Sequence, residues 1–547
     1  MNKTLYYKDF CTSEDHGYNL ARAMQACRRE GASCLVLSPD VYDIYPDYCE
    51  ERVLYISNHG QNGPKRIAAV IEDMQDFTLD LNGATLRVHG DMTHLALLRS
   101  SHITVKNGIL QNPATQFMQA RVAAHGDDYV DLVPEFGAEQ FSLYSGLLVI
   151  RHPYSGTLLP VSTNIEFNGE SGEMEPGTSD HTMGFWWNFR VERLENGNFR
   201  VHGVTRKPPI GNVLIINAAR RFGAGIFCED CRDVRVENVT VNSCLGMGFI
   251  AQTSENIHLD GFSTRRTGNQ LYTANADATH FVNCTGEVVV ENGVFEGQLD
   301  DALNIHGMYT RVIRRSGREL FVKEMHSEAK GIHMLRAGDR IRALDPESLI
   351  PYVEKTIEEV EYLNQDTVRL VLSESAEDIA VGDDIENLSR AASLVFRNNT
   401  VRNNRARGML LASTAPMLVE DCYFHTGGCS IKFESDGAYW FESGGTTDVT
   451  IRACHFDRCK HADKWGDAVI DMAPRRKVVE DAYFHGRVRV VDNTFDMLVE
   501  KAVNFNNVTE AIFEGNTVTP AEGLPTAVEL SHVKEARVQE GIGILQK

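Results

Sequence analysis

Short alternations of apolar and polar residues recur along most of the chain, and nearly every one ends on a turn-forming residue. The template reads Val234–Asn238, Ile257–Gly261, Val288–Asn292, Leu394–Asn398, Met417–Asp421, Val449–Ala453, Val488–Asp492 and Ile512–Gly515, with earlier copies at Phe77–Leu81 and Ile103–Asn107. A period of two predicts short strands with one face turned inward. Several neighbouring copies are spaced 23 residues apart, from 238 to 261, 398 to 421 and 492 to 515. No helical pattern separates them, so the spacing predicts a solenoid of β-coils stacked about 4.8 Å apart. A leucine-rich repeat would need its own Leu/Asn consensus, and a β-sandwich would not keep one spacing.

Two stretches lose the template. Residues 112–210 carry other strand and turn signals, among them Gly146–Ile150 and Asn196–Asn198. Residues 307–390 carry turns at Ala337–Asp339 and Val381–Asp383 and a strand at Thr367–Leu372. The expected organisation is therefore an N-terminal cap with the first coils over 1–111, a β-rich insertion over 112–210, and coils over 211–306. A second insertion over 307–390 and the C-terminal coils over 391–547 complete it. Tyr18–Arg29 is the one helical stretch near the start. A helix there would cover the open strand edge at the solenoid's end, which otherwise invites aggregation.

Composition changes this picture little. With 547 residues the chain exceeds a single compact core, as a repeat architecture allows. A net charge of −22 speaks against nucleic acid or an anionic membrane as partner, and makes a neutral substrate easier than a polyanionic one. Such a surface suits a monomer or a homodimer. No apolar run reaches the length of a membrane span. Met1–Asp9 shows no apolar signal region, and the 12 cysteines follow no disulfide framework. A cytoplasmic location is expected, or a secreted one if a leader preceded this start. The lone Cys228–Cys231 pair reads as buried solenoid cysteines in preference to a metal or redox site.

The candidate chemistry lies in Asn275–His280 and Gly297–Gly307. Asp277 and Asp300 are 23 residues apart, one coil in this local register, which would place both carboxyls on one face. Adjacent Asp300 and Asp301 share a site only at a corner or bulge, and Gly297 makes a corner reasonable. Acids gathered in one patch raise at least one pKa, the condition for a general acid beside a base. An aspartate turn ladder and a calcium site are the alternatives. Trp440 offers a flat face to a sugar ring and Glu442 an acceptor for hydroxyls, although a core aromatic fits as well. Arg405 and Arg407 either reach the cleft or dress a solvated face, the latter favoured. His280 and His306 flank the acids as hydroxyl partners or as satisfied structural histidines.

These residues resemble glycoside hydrolase family 110, the α-1,3-galactosidases. The resemblance runs along nearly the whole chain, through Ile56–Asn58, Lys65–Arg66, Val88–Thr93, Asn275–Asp277, Gly297–Gly307, Arg405–Gly408 and Tyr439–Gly444. The Asn-x-Asp, Asp-Asp and His-Gly elements are similar to family 28 polygalacturonases as well. The resemblance implies an all-β fold, a right-handed parallel β-helix with two inserted β-barrel-like modules. It implies inverting, cofactor- and metal-free, exo-acting hydrolysis of terminal α-1,3-linked galactose, as in the blood group B antigen, from galactose-terminated oligosaccharides. It makes Asp300 the general acid and Asp277 and Asp301 the bases; Asn275, His280, His306, Arg407, Trp440 and Glu442 are the substrate-binding candidates.

Two other classes compete. A polygalacturonase-like enzyme would need basic residues in the cleft, for which Arg265–Arg266 and Arg311 are the nearby candidates. A non-catalytic carbohydrate-binding or adhesin-like stalk would have no use for three aspartates at one corner.

Overall fold

The computed structural model describes residues 3–60, 62–113, 116–151, 156–218, 220–473 and 476–547. The template strands close into coils, and the coils stack in parallel register along three faces of a right-handed β-helix. One face carries Gln75–Asp80, Ser101–Gln111, Arg232–Val241, Glu255–Asp260, Thr285–Glu291, Ser393–Arg397, Met417–Glu420, Asp448–Arg452 and His485–Val491 in succession. The apolar template positions point inward: Val234, Val236, Ile257, Leu259, Val288, Val290, Leu394 and Phe396 all lie in the continuous core. Phe424, Phe456, Phe495 and Phe513 continue it as a ladder with ring centroids 5.2, 4.7 and 5.7 Å apart.

The recurring turn residue has a backbone cause. Asn107, Asn238, Asn292, Asn398, Asp421 and Asp492 all sit at φ between 52° and 61°, in the left-handed region that Asn, Asp and Gly enter most cheaply. Gly261 and Gly515 occupy the same corner. The corner side chains also bond up the stack, Asn292 Nδ2 to Asp260 at 2.7 Å and Asn398 Nδ2 to Asn292 at 2.6 Å.

At the N-terminal end a helix, His16–Glu30, is capped by the Asp15 carboxylate on the Tyr18 N–H at 2.7 Å and stops at Gly31 with φ 60°. It buries Leu20, Ala23, Met24 and Cys27 against Leu35, Tyr42 and Ile44 of the first coils. All twelve cysteines are free thiols; Cys228 and Cys231 are buried in the coil core.

The two insertions differ in closure. The first is a six-stranded antiparallel sheet ordered Thr163–Phe167, Val213–Asn217, Phe117–His125, Tyr129–Phe136, Phe199–His202, Arg190–Arg193, with a three-stranded sheet beside it. Its strand Val213–Asn217 lies beyond residue 210, because it pairs on both sides within this sheet instead of with a coil. The second insertion closes into a six-stranded antiparallel barrel through Leu303–Ser316, Glu319–Glu324, Thr367–Leu372, Pro351–Tyr362, Arg340–Leu344 and Asp384–Asn387, which returns to the first strand. Leu303–Ser316 belongs to both bodies: residues 303–306 pair in the coil stack and 309–316 in the barrel.

Candidate active site

The second face of the helix carries the candidate chemistry. Here Thr279–Val282 pairs in parallel with Leu303–His306 and then with Met409–Ala412, Thr279 opposite Leu303 and Leu303 opposite Met409. The coil offset from 279 to 303 is 24, not 23. Counting back two residues, Asp277, Asp301 and Arg407 occupy equivalent places on three successive coils, and Asp300 stands one place earlier. The expectation that Asp277 and Asp300 are in register is thus corrected by one residue. Asp300 and Asp301 lie in the bend between Val294–Glu296 and Leu303, entered through Gly297 at φ 75°, so neighbouring side chains reach one patch.

One oxygen from each of Asp277, Asp300 and Asp301 lies within 4.8 Å of the others. Arginines already supply positive charge there. Asp301 accepts from the Arg407 backbone N–H at 3.1 Å and its Nε at 2.9 Å, with Nη2 at 2.8 Å from the second oxygen. Asp300 pairs with Arg405 Nη1 at 2.8 Å and Arg221 Nη2 at 3.4 Å. Arg405 is held in turn by a two-point bond to Asp180 of the first insertion, at 2.7 Å on each arm. The sequence-based preference for Arg405 and Arg407 as solvated residues is therefore corrected: both are turned inward by the carboxylates they pair with.

A cavity of about 340 Å³ opens over this patch. Asp277, Asp300, Asn304, Arg221, Arg405 and Arg407 line its floor, with Asn58, Glu434, Asp436, Trp440, Glu442 and Trp465 around it. Trp440 is fixed by the Asp436 carboxylate, which accepts from the N–H groups of residues 438–440, and by the His326 ring 4.7 Å away. Glu442 accepts from Asn58 Nδ2 at 3.1 Å.

Several expected substrate contacts are sealed off instead. Asp301 is 0% exposed and outside the cavity wall. Asn275 accepts from Asn217 Nδ2 at 3.0 Å and donates to the Arg220 carbonyl. His280 and His306 are buried behind the wall in a chain of contacts: Asp277 Oδ2 to His280 Nδ1 at 2.6 Å, His280 Nε2 to His306 Nε2 at 3.0 Å, and His306 Nδ1 to the Gly307 carbonyl at 2.7 Å. Burial, with Asp300 beside it, pushes the Asp277 carboxyl up to about 8. Burial raises Asp301 to about 7 against the pull of Arg407. Burial, then His306, holds His280 well below the usual imidazole range. Arg221, Asp180 and Glu434 carried no sequence signal, because each comes from a segment without the repeat or without a motif.

A family model for GLAA-B beta-barrel domain II matches residues 319–385, within the closed barrel. A protein of Phocaeicola vulgatus named alpha-1,3-galactosidase B is 30% identical over 90% of this chain and 86% of its own length. The chain belongs to glycoside hydrolase family 110. The alpha-1,3-galactosidase B of Parabacteroides distasonis is 29% identical over 93% of this family 110 chain and 87% of its own. The alpha-1,3-galactosidase A of Bacteroides fragilis is 26% identical over 96% and 88%.

The polygalacturonase-like candidates fall outside the family 110 cavity. Arg266 donates to the carbonyls of Gly172 and Asn403, and Arg311 pairs with Asp384. Five acidic residues, Asp277, Asp300, Glu434, Asp436 and Glu442, and three arginines, Arg221, Arg405 and Arg407, line the cavity.

Proposed function

We propose that this glycoside hydrolase removes terminal α-1,3-linked galactose from oligosaccharides, acting from the chain end with inversion and without a metal. The observation that carries the reading is the Asp277–Asp300 pair lining a cavity with Trp440 and polar side chains, in a chain of this family. Asp300 is the acid that protonates the leaving oxygen when the substrate displaces its Arg405 contact. Asp277 receives the proton of the attacking water. Asp301, paired with Arg407 and out of reach of the cavity, fixes the floor.

The carboxyl oxygens are closer than the roughly 6.5–9.5 Å usual for inverting pairs. With oxygens within 4.8 Å of one another, inversion rests on the family reading and is decided by the anomer released. Proton NMR of Galα1-3Gal hydrolysis tests the proposal. Release of β-galactose first, unchanged by EDTA, is expected. Release of α-galactose first would overturn inversion, and loss of turnover with EDTA would overturn the metal-free reading. No turnover on Galα1-3Gal would overturn the substrate.

A further inference from the structure

Behind the cavity wall the contacts from Asp277 to Glu442 have directions that can be worked out. A carbonyl only accepts, so the 2.7 Å contact to Gly307 requires a proton on His306 Nδ1. In a neutral ring this leaves His306 Nε2 as an acceptor. The 3.0 Å contact between the two Nε2 atoms then requires the proton to sit on His280 Nε2. A neutral His280 presents a bare Nδ1 to Asp277 Oδ2 at 2.6 Å, and two acceptors do not approach so closely. With both rings taken as neutral, the remaining proton is on Asp277. Its other oxygen, Oδ1, accepts the Asp301 N–H at 3.3 Å, and the residue lines the cavity.

We propose that Asp277 serves as a relay: a neutral carboxyl that takes the water's proton on one oxygen and gives up its own from the other, into a buried histidine pair that ends at Glu442. The proposal rests on the galactosidase reading and deepens it. As the water oxygen bonds to the anomeric carbon and the glycosidic bond breaks, the water's proton goes to Asp277 Oδ1. The Oδ2 proton moves to His280 Nδ1, and the His280 Nε2 proton passes to His306 Nε2. That nitrogen lies 3.5 Å from Glu442 Oε1, so the new N–H faces a carboxylate at the cavity wall, from which the proton returns to solvent. With its Arg405 contact displaced by substrate, Asp300 takes up a proton from cavity water before the step and passes it to the leaving oxygen, so one proton enters at Asp300, one leaves past Glu442, and the charges balance. Such a relay lets a carboxyl that burial keeps neutral act as the base, with no charged intermediate left behind on it.

The groups facing His280 agree with this direction. Asp277 bonds Nδ1 and His306 bonds Nε2. Arg221, Asp300 and Glu442 supply one positive and two negative charges nearby, and His59, itself fully buried, also acts on His280 electrostatically. His280 and His306 touch no substrate. They are positioning residues that act through Asp277.

Three measurements test the relay, one of them independent of turnover. Nitrogen-15 spectra of histidine-labelled protein near neutral pH should show His280 as the Nε2–H tautomer and His306 as the Nδ1–H tautomer, assigned with His280→Gln and His306→Gln. A Nδ1–H tautomer for His280 would overturn the proposal whatever the activity. In turnover of Galα1-3Gal, each Gln variant should lower kcat about 100-fold or more with KM within about threefold. The double variant should be little worse than the worse single, because the chain acts as a unit. A curved proton inventory in mixed H2O/D2O is expected for the wild type. A linear inventory, or losses that add and fall on KM, would leave the histidines a structural role only. Correct tautomers without turnover on any galactoside would overturn the activity reading and leave the hydrogen-bond chain standing.

Discussion

Replacing Asp277 with Asn should abolish turnover while making the protein more stable, increasingly so as pH rises. The side chain is a neutral carboxyl donating to His280 Nδ1 and accepting from the Asp301 N–H, and an Asn amide reproduces both contacts with the same shape. The sign follows from the pKa. An unfolded aspartate titrates near 3.8, whereas burial, then Asp300, raises the folded group to about 8. Between those values the folded chain holds a proton that the unfolded chain has lost, so wild-type stability falls as pH rises through this window and levels off above it. At about 1.4 kcal/mol per unit, the three units between pH 5 and pH 8 amount to roughly 4 kcal/mol. Asp277→Asn does not titrate and escapes that loss. Unfolding entropy of about 2 cal/mol/K per residue makes this roughly 3–4 °C in a chain of this length. The assay is the thermal midpoint of both proteins at pH 5 and pH 8, beside hydrolysis of Galα1-3Gal. The variant's advantage should be about 3–4 °C larger at pH 8, with turnover down at least 1,000-fold on the scale of a lost base. A variant less stable than wild type at pH 8, or an advantage independent of pH, would refute the neutral Asp277 and the direction of the histidine chain with it.

Asp300→Asn should lose far more activity on Galα1-3Gal than on an aryl α-galactoside with an acidic phenol, since only the poor leaving group needs a proton; steady-state kinetics on both substrates check it, and equal losses would remove the acid role. Arg407→Met leaves the fully buried Asp301 without its counter-charge and should cost about 3–5 kcal/mol, seen as a lower thermal midpoint that Arg407→Met/Asp301→Asn largely restores. Trp440→Ala should raise KM about fivefold, on the order of 1 kcal/mol of lost ring contact, with kcat changed less. An unchanged KM would place the sugar elsewhere in the cavity.

The β-helix was legible because its cause is local. An inward apolar pair and a left-handed corner are needed on every coil, and the sequence repeats both. The site was legible to one residue, because coil length is not fixed. Thr279 to Leu303 spans 24 positions where the corners at 238 and 261 are 23 apart, and one extra residue moves Asp301, instead of Asp300, above Asp277. Residue type misled at Arg405 and Arg407, whose charge predicts solvent until the carboxylates that hold them are known. Asp180 lies 225 positions away in sequence from Arg405, and no pattern links the two. The histidines show the reverse. His280 and His306 were noticed as neighbours of the acids, yet only the Gly307 carbonyl fixes the direction of their hydrogen bonds.

The residues that line the cavity come from the coils and their connecting loops, and the two insertions reach it through side chains that hold those residues from behind. The first sends Asp180 to Arg405, and through it sets Asp300. The second shares its opening strand with the catalytic coil, so the backbone that carries His306 runs directly into the barrel wall. From that barrel, Arg311 bridges Asp384 to the Gly437 carbonyl, and His326 backs Trp440. The aromatic wall is thus fastened to the barrel and the acid to the other module, while the coils between them hold the relay. On the proposed reading, chain-end action then depends on the modules that hold the aromatic wall and Asp300 from behind, and the acid–base chemistry on the coils.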